Sequence, residues 1–346
     1  MIECVFTLDY EIYGNGTGAL KDLVYEPTEQ LKEVFQAWDA RFVNYVEVAE
    51  FDRIEACGSD PAIDLVKQQI KALYREGFEC ALHLHPQWYN ATYERGRWDL
   101  DYSEYNLCKL PRARVVAIVD RALNYMRHVI NEKDYVPLSF RAGNWLFQPS
   151  AVTASVLAAS GIRIDSSVFK GGVQHNHGLD YRPAQRNGYF WSFSDDVNRS
   201  DAMGPWIEVP IHAEMVPIWK MATSKRVASG NAFGGAVGRS VGHKVNRLRD
   251  FARLRYPLKF DFCRMTFKEL TSMVDNLMRE DRKQPEVFRP MVAIGHSKDP
   301  ANFRTIHDFL GYLRELGIPI STFQDIYPRL QQGCRPTHKA GAALAS

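Results

Sequence analysis

The chain has 346 residues, 45% of them hydrophobic and 24% charged, a mixture that supports a large buried core and excludes an intrinsically disordered or collagen-like chain. With 43 basic side chains against 41 acidic ones the formal charge is only +2, so nothing global points to nucleic acid. The six cysteines include no Cys-x-x-Cys pair, the N-terminus shows no signal-peptide pattern, and no apolar run approaches the roughly 18 residues that cross a bilayer, which together predict a cytoplasmic protein with reduced thiols.

Strand-like and helix-like runs alternate to about residue 330, the pattern of an α/β fold on a parallel sheet. The first strand covers residues 2–11. A helix follows Pro27, and residues 41–51 return to strand character. A helix over 61–76, stopped by Gly77, leads into a strand over 78–85. An aromatic insertion at about 86–110 precedes a helix over 111–130, a strand over 138–145, a helix over 149–160 and a strand over 162–169. A second insertion, about 170–260, contains a strand over 206–212 and then turns basic, with ten Lys or Arg between Lys220 and Phe260 against one acid, Asp250. The closing elements are a helix over 266–279, a strand over 289–296, a helix over 303–316 and a strand over 318–323. Residues 331–346 read as a disordered tail, and no repeat of fixed period is present.

In such a fold the reactive groups gather at the carboxyl ends of the strands. Asp9 and Glu11 end the first strand, His83 and His85 the third, Arg141 the fourth, Asp165 the fifth and His296 the seventh. Side chains two apart on a strand point the same way, so His83 and His85 present two imidazoles to one point, and Asp9 with Glu11 two carboxylates. Two imidazoles and a carboxylate leave an open position on a zinc-like ion, where a bound water ionises near neutral pH; His-x-His alone is equally a pair of surface histidines. Arg141 calls for a carboxylate partner, which the first strand supplies. Asp165 either orients a histidine or caps the turn that contains Ser166 and Ser167, and His296 is either a general acid or a strand-end histidine satisfied locally. The glycine-rich loop 229–236 lacks a phosphate-loop ending and reads as a lid or linker. The stripe Val241, Val245, Leu248 and Ala252 belongs to a basic helix that either packs on the fold or meets an anionic surface, such as a membrane or a diphosphate-linked substrate.

Five segments between residues 5 and 297 resemble the motifs of the polysaccharide deacetylases, the NodB-homology or carbohydrate esterase family 4 group. They are Thr7-Leu8-Asp9-Tyr10-Glu11, Leu82-His83-Leu84-His85-Pro86, Arg141 to Trp145, Asp165-Ser166-Ser167 and Ile294-Gly295-His296. The resemblance implies a single domain, a distorted and incomplete (β/α) barrel, and one divalent metal, zinc first with nickel, cobalt or iron as alternatives. It implies Asp9 as general base set by Arg141, and His296 as general acid oriented by Asp165. His83 matches the first metal histidine. The second falls on Gln87, so His85 replaces it; the second aspartate falls on Tyr10, so either Glu11 or Asp9 itself is the carboxylate ligand. Trp88, Trp145 and Tyr10 are the candidate substrate contacts, with packing as the alternative for aromatics at the mouth.

The expected activity is metal-dependent hydrolysis of a linear amide, the N-deacetylation of an amino sugar in surface polysaccharide synthesis such as that of O-antigen. A nucleotide- or lipid-linked sugar and peripheral membrane contact would account for the basic 220–260 segment. The alternatives are a metal-independent glycoside hydrolase that pairs Asp9 or Glu11 with Asp165, and an inactive barrel that only binds carbohydrate.

Overall fold

A computed structural model of the chain describes residues 1–217, 220, 255–299 and 301–334. Most of the basic segment, with its glycine-rich loop and amphipathic stripe, and the tail beyond 334 lie outside the described residues.

Strand β1 (Ile2–Tyr10) carries two rows of side chains with opposite duties. Phe6 and Tyr10 point outward to the helices, where Phe6 meets Phe35 and Phe309 edge-on and Tyr10 meets Phe51. Val5, Thr7 and Asp9 alternate with them and face the interior. Val5 belongs to a buried cluster with Tyr45, Ala81, Ile164 and Val292, so the inward row passes from apolar core to carboxylate within one strand.

Seven strands join it: β2 (Val43–Glu47), β3 (Glu79–Leu84), β4 (Ser139–Ala142), β5 (Ile164–Asp165), β6 (Trp191–Phe193), β7 (Trp206–Glu208) and β8 (Arg289–His296). Their order is β6-β7-β5-β4-β3-β2-β1-β8, and every neighbouring pair is parallel except β6 with β7. Helices α1 (Glu26–Gln36), α2 (Val48–Cys57), α3 (Ile63–Arg75), α4 (Arg112–Ile130), α5 (Ala151–Ala159), α6 (Phe267–Asp281) and α7 (Phe303–Glu315) punctuate the strands. Single parallel bridges from Ile211 to Phe169 and to Val292, and from Asp261 to Ile294, carry the sheet round toward closure. The result is the expected incomplete (β/α) barrel in one domain. At its amino end, Phe323, Ile326 and Leu330 of α8 (Phe323–Cys334) join the interior cluster.

Several elements depart from the sequence reading. The strand expected over 41–51 stops at Glu47 and turns directly into α2, because the apolar run Val48, Ala49, Phe51 serves a helix face as well as a strand. The strand expected over 138–145 ends at Ala142, where a helical turn begins with Asn144 and Trp145 at φ of 53° and 60°. Those expected over 162–169 and 206–212 shrink to β5 and β7; Pro210 lacks the N–H a ladder needs. The last expected strand is one bridge, Ile320 to Cys4, and α8 begins at Phe323 and runs to Cys334, past the point where the tail was expected.

Glu79 opens β3 fully enclosed, accepting from Ser139 Oγ at 3.3 Å and from the Gln324 amide at 2.9 Å. Burial lifts its carboxyl to about 7. A folded-state value above the unfolded one means stability held at low pH and lost as pH rises from about 4.5 through 7. Glu79→Gln therefore flattens this part of the profile, gaining on the order of 3 kcal/mol at most over wild type at pH 8 and little at pH 4. Urea unfolding across that range checks it; a parallel offset at every pH would contradict it.

Candidate metal centre

The parallel register places the predicted side chains in order around one rim. Asp9 on β1 is level with His296 on β8, Glu47 on β2 with His83 on β3, and His83 with Arg141 on β4. Glu11 lies one inward step beyond Asp9, past the end of β1, and His85 one step beyond His83.

Glu11, Glu47, His83 and His85 converge, with ligand atoms all within 4.8 Å of one another and all four residues buried. Glu11 Oε2 stands 3.2 Å from His85 Nε2 and 3.6 Å from His83 Nε2, and Glu47 Oε2 lies 4.0 Å from His83 Nε2. Donors bound at the usual lengths to a tetrahedral ion sit about 3.4 Å apart, so these spacings suit a divalent cation. The imidazoles are pre-set. His83 Nδ1 lies 2.9 Å from the Arg141 carbonyl, to which it donates, leaving the Nε2 lone pair toward the carboxylates. His85 Nδ1 is flanked by the side-chain amides of Gln87 at 3.3 Å and Asn144 at 3.2 Å. Gln87 Oε1 is buried without a partner, and rotating that amide brings it to a proton on Nδ1, which frees Nε2. Gln87, onto which the sequence resemblance places a second metal histidine, is thus set beside His85.

Glu47 supplies the sharpest test of fit. It has no exposed surface, and neither carboxylate oxygen has a hydrogen-bond partner. Of the acids around it, Asp9 is paired with Arg141 at 2.5 Å, Glu11 with Lys298 at 2.8 Å and Asp299 with Arg264 at 2.6 Å, and Glu50 accepts from the Ile12 amide at 2.8 Å. An enclosed carboxylate with no cation of its own is costly unless a metal or a proton compensates it. Burial raises the Glu47 carboxyl above its ordinary value, whereas Lys298 and His85 overcome the burial of Glu11 and hold it well below. For His83 burial works downward, and Asp9 and Glu11 overcome it to lift the ring to about 9. The site gathers protons that a divalent cation would displace. Two carboxylates and two imidazoles without thiolate suit zinc, nickel, cobalt or iron.

A second group adjoins the first. Arg141, with no exposed surface, gives Nη1 to Asp9 Oδ1, Nη2 to Thr7 Oγ1 at 2.9 Å and Nε to the Ser166 carbonyl at 2.9 Å, and its guanidinium lies over the Tyr45 ring at 4.1 Å. Burial works to raise the Asp9 carboxyl, and Arg141, His83 and His296 outweigh it, so Asp9 stays ionised below the ordinary range. Its other oxygen lies 3.6 Å from His296 Nε2, and His296 Nδ1 is 3.1 Å from Asp299 Oδ2.

Three expectations are corrected here. Asp165 does not meet His296: it accepts from Ser167 Oγ at 2.7 Å and from the Ser167 amide at 3.3 Å, and Asp299 takes the orienting place. Tyr10 points away from the site into the helical layer, its hydroxyl on Gln69 Oε1 at 2.5 Å, as strand alternation between Asp9 and Glu11 requires. Trp88 is 1% exposed, packed edge-on against Trp98, and so is core rather than substrate surface. Trp145 does border the site, 6.2 Å from the His296 ring between centroids. The sequence reading missed Glu47, Lys298 and Asp299; each stands at or just past a strand's carboxyl end, the signal that identified the others.

No family model and no curated protein matches the sequence. Solved structures share the fold: a protein assigned as a polysaccharide deacetylase from Mycobacterium smegmatis (12% identity, 97% of this chain and 92% of that one, TM-score 0.54) and the Puue allantoinase (14%, 97% and 91%, 0.52). A GH57-type branching enzyme from the archaeon Pyrococcus horikoshii aligns as well (10%, 94% and 70%, 0.52). The chain therefore has the barrel of the polysaccharide deacetylases, a scaffold that also carries other chemistries, and the site must decide among them.

Gly143 permits the arrangement of His85: a Cβ there would lie 2.6 Å from the Leu84 carbonyl oxygen and 2.8 Å from His85 Cγ. Gly143→Ala should displace the ring and weaken divalent-metal affinity roughly ten- to a hundredfold. Competition against a chromophoric chelator measures this, and unchanged affinity would refute the role.

Proposed function

We propose that the chain is a metal-dependent amide hydrolase that removes the N-acetyl group of an amino sugar, with surface polysaccharide synthesis, such as that of O-antigen, as its setting. The carrying observation is the orphaned Glu47 carboxylate beside Glu11, His83 and His85, next to the separate unit Asp9–Arg141 and His296–Asp299.

Glu11, Glu47, His83 and His85 would hold the metal, zinc being the first choice. When bound, a divalent ion supplies a Lewis acid for the amide oxygen and lowers the pKa of water. The remaining work belongs to the chain. Asp9 is kept ionised by Arg141 and takes the proton of the attacking water. Arg141 also fixes the direction of that carboxylate through Thr7 and Ser166, so base and metal ligand are not interchanged. His296 gives its Nε2 proton to the departing amine while Nδ1 remains on Asp299, which stabilises the imidazolium and sets the ring's angle. Trp145 borders His296 and forms an apolar edge of the site against which a sugar can pack.

The test is release of acetate from N-acetylated amino sugars by metal-loaded protein. Asp9→Asn and His296→Ala should each lower kcat at least about a hundredfold with the metal retained. Asp299→Asn should lower kcat by a smaller factor, on the order of ten. Turnover unaffected by Asp9→Asn and His296→Ala would refute these roles. Binding of the same sugars with no acetate released would favour a carbohydrate-binding barrel.

A further inference from the structure

At this end of the barrel Asp9, Glu11 and Asp299 each have a cation at contact distance, and among the described residues Lys259 is a cationic side chain with no carboxylate at ion-pair distance. Asp9 is held by Arg141, Glu11 by Lys298, and Asp299 by Arg264. Asp261 accepts from the amides of Cys263 at 3.1 Å and Arg264 at 3.0 Å, with the Arg264 guanidinium 3.9 Å away. Lys259 ends a strand, Arg255–Lys259, that pairs antiparallel with Ala213–Pro217 and reaches in from the second insertion. Its Nζ lies 2.9 Å from the centroid of the Trp145 ring and 5.0 Å from that of Phe169, and among the described residues it forms no hydrogen bond or ion pair. The same Trp145 ring meets His296 edge-on, 6.2 Å between centroids. Asp261, two residues on, shares a cluster with His296 and Asp299 whose donor atoms lie within 4.8 Å of one another. Burial pulls the Lys259 amine down to about 7 against the longer-range pull of Asp261 and Asp9, and an amine clamped on an aromatic ring beside the proposed acid, with no carboxylate at ion-pair distance among the described residues, takes up its full charge when an anion arrives from outside the chain.

We infer that Lys259 reads a negative charge on the substrate, so that the amino sugar presented to this site carries a carboxylate or a phosphate close to its N-acyl group. This rests on the amide-hydrolase reading for its meaning, and it adds the substrate class. Trp145 holds the Lys259 amine beside His296, where it is the counter-charge for the substituent. The preference for an anionic sugar is thereby set by the second insertion, while the barrel strands carry the chemistry.

Equilibrium binding tests this without requiring turnover, which keeps its failure distinct from failure of the hydrolase reading. Metal-loaded wild type, Lys259→Met and Lys259→Arg are titrated calorimetrically with glucuronate, inorganic phosphate and neutral glucose. Lys259→Met keeps an unbranched stem against Trp145 and removes the charge; melting alongside wild type verifies its fold. The expected result is that at least one anion binds wild type at least about tenfold tighter than glucose, that Lys259→Met erases the difference, and that Lys259→Arg keeps most of it. Glucuronate alone identifies a uronic acid, phosphate alone a phosphorylated sugar. Anions that bind wild type no better than glucose, or bind Lys259→Met as tightly as wild type through the metal alone, would overturn the inference.

Discussion

Arg141 is an arginine with no exposed surface, and the chemistry of the barrel mouth is arranged around satisfying it. A guanidinium enclosed in this way stays charged, so it requires a carboxylate at contact distance and acceptors for its other donors. Asp9, Thr7 and the Ser166 carbonyl meet those needs, with Tyr45 beneath the guanidinium plane. Removing either partner of such a pair strands the other, typically at about 3 to 5 kcal/mol. The functional consequence follows from the same contacts. Asp9 is committed to Arg141 and faces His296, which leaves Glu11, the next inward residue along the chain, to approach the histidines.

The barrel separates structural from chemical duties along its length. Toward the amino ends of the strands the interior is apolar and joined by Phe323, Ile326 and Leu330 of α8; toward the carboxyl ends the same inward rows become Asp9, Glu47, His83 and Arg141. Because neighbouring parallel strands are locked in register by their hydrogen bonds, a slip of one residue would send these groups into the helical layer. The packed interior below and the ionic pairs above therefore specify the same alignment. Groups on five strands, β1, β2, β3, β4 and β8, and on the segments just past their ends thereby converge on one rim.

How much of this was legible varies with the kind of signal. The strands β1 and β8 and the pair His83 and His85 stand out because apolar runs end abruptly in polar side chains with a period of two, a pattern local to one segment. Glu47 was hidden because Val48, Ala49 and Phe51 continue the apolar run, so the strand appeared to extend past it; only packing decides that the chain turns into α2 there. Asp165 was assigned to His296 by family resemblance, while Asp299, three residues from His296, had the advantage of proximity and takes that contact. Tyr10 was placed in the site although alternation between Asp9 and Glu11 already argued that it faces the other way. Lys259 was one charge among ten in a basic stretch; its contact with Trp145 spans more than a hundred residues of sequence and has no local signature.

Whether Glu11, Glu47, His83 and His85 form a divalent-metal site is read from the metal content per chain by plasma mass spectrometry. Wild type purified without chelator, then reconstituted, is compared with His83→Ala and His85→Ala. About one zinc, nickel, cobalt or iron per wild-type chain and near none in either variant is expected. Wild type that takes up no metal after reconstitution, or variants that retain it in full, would exclude this metal site.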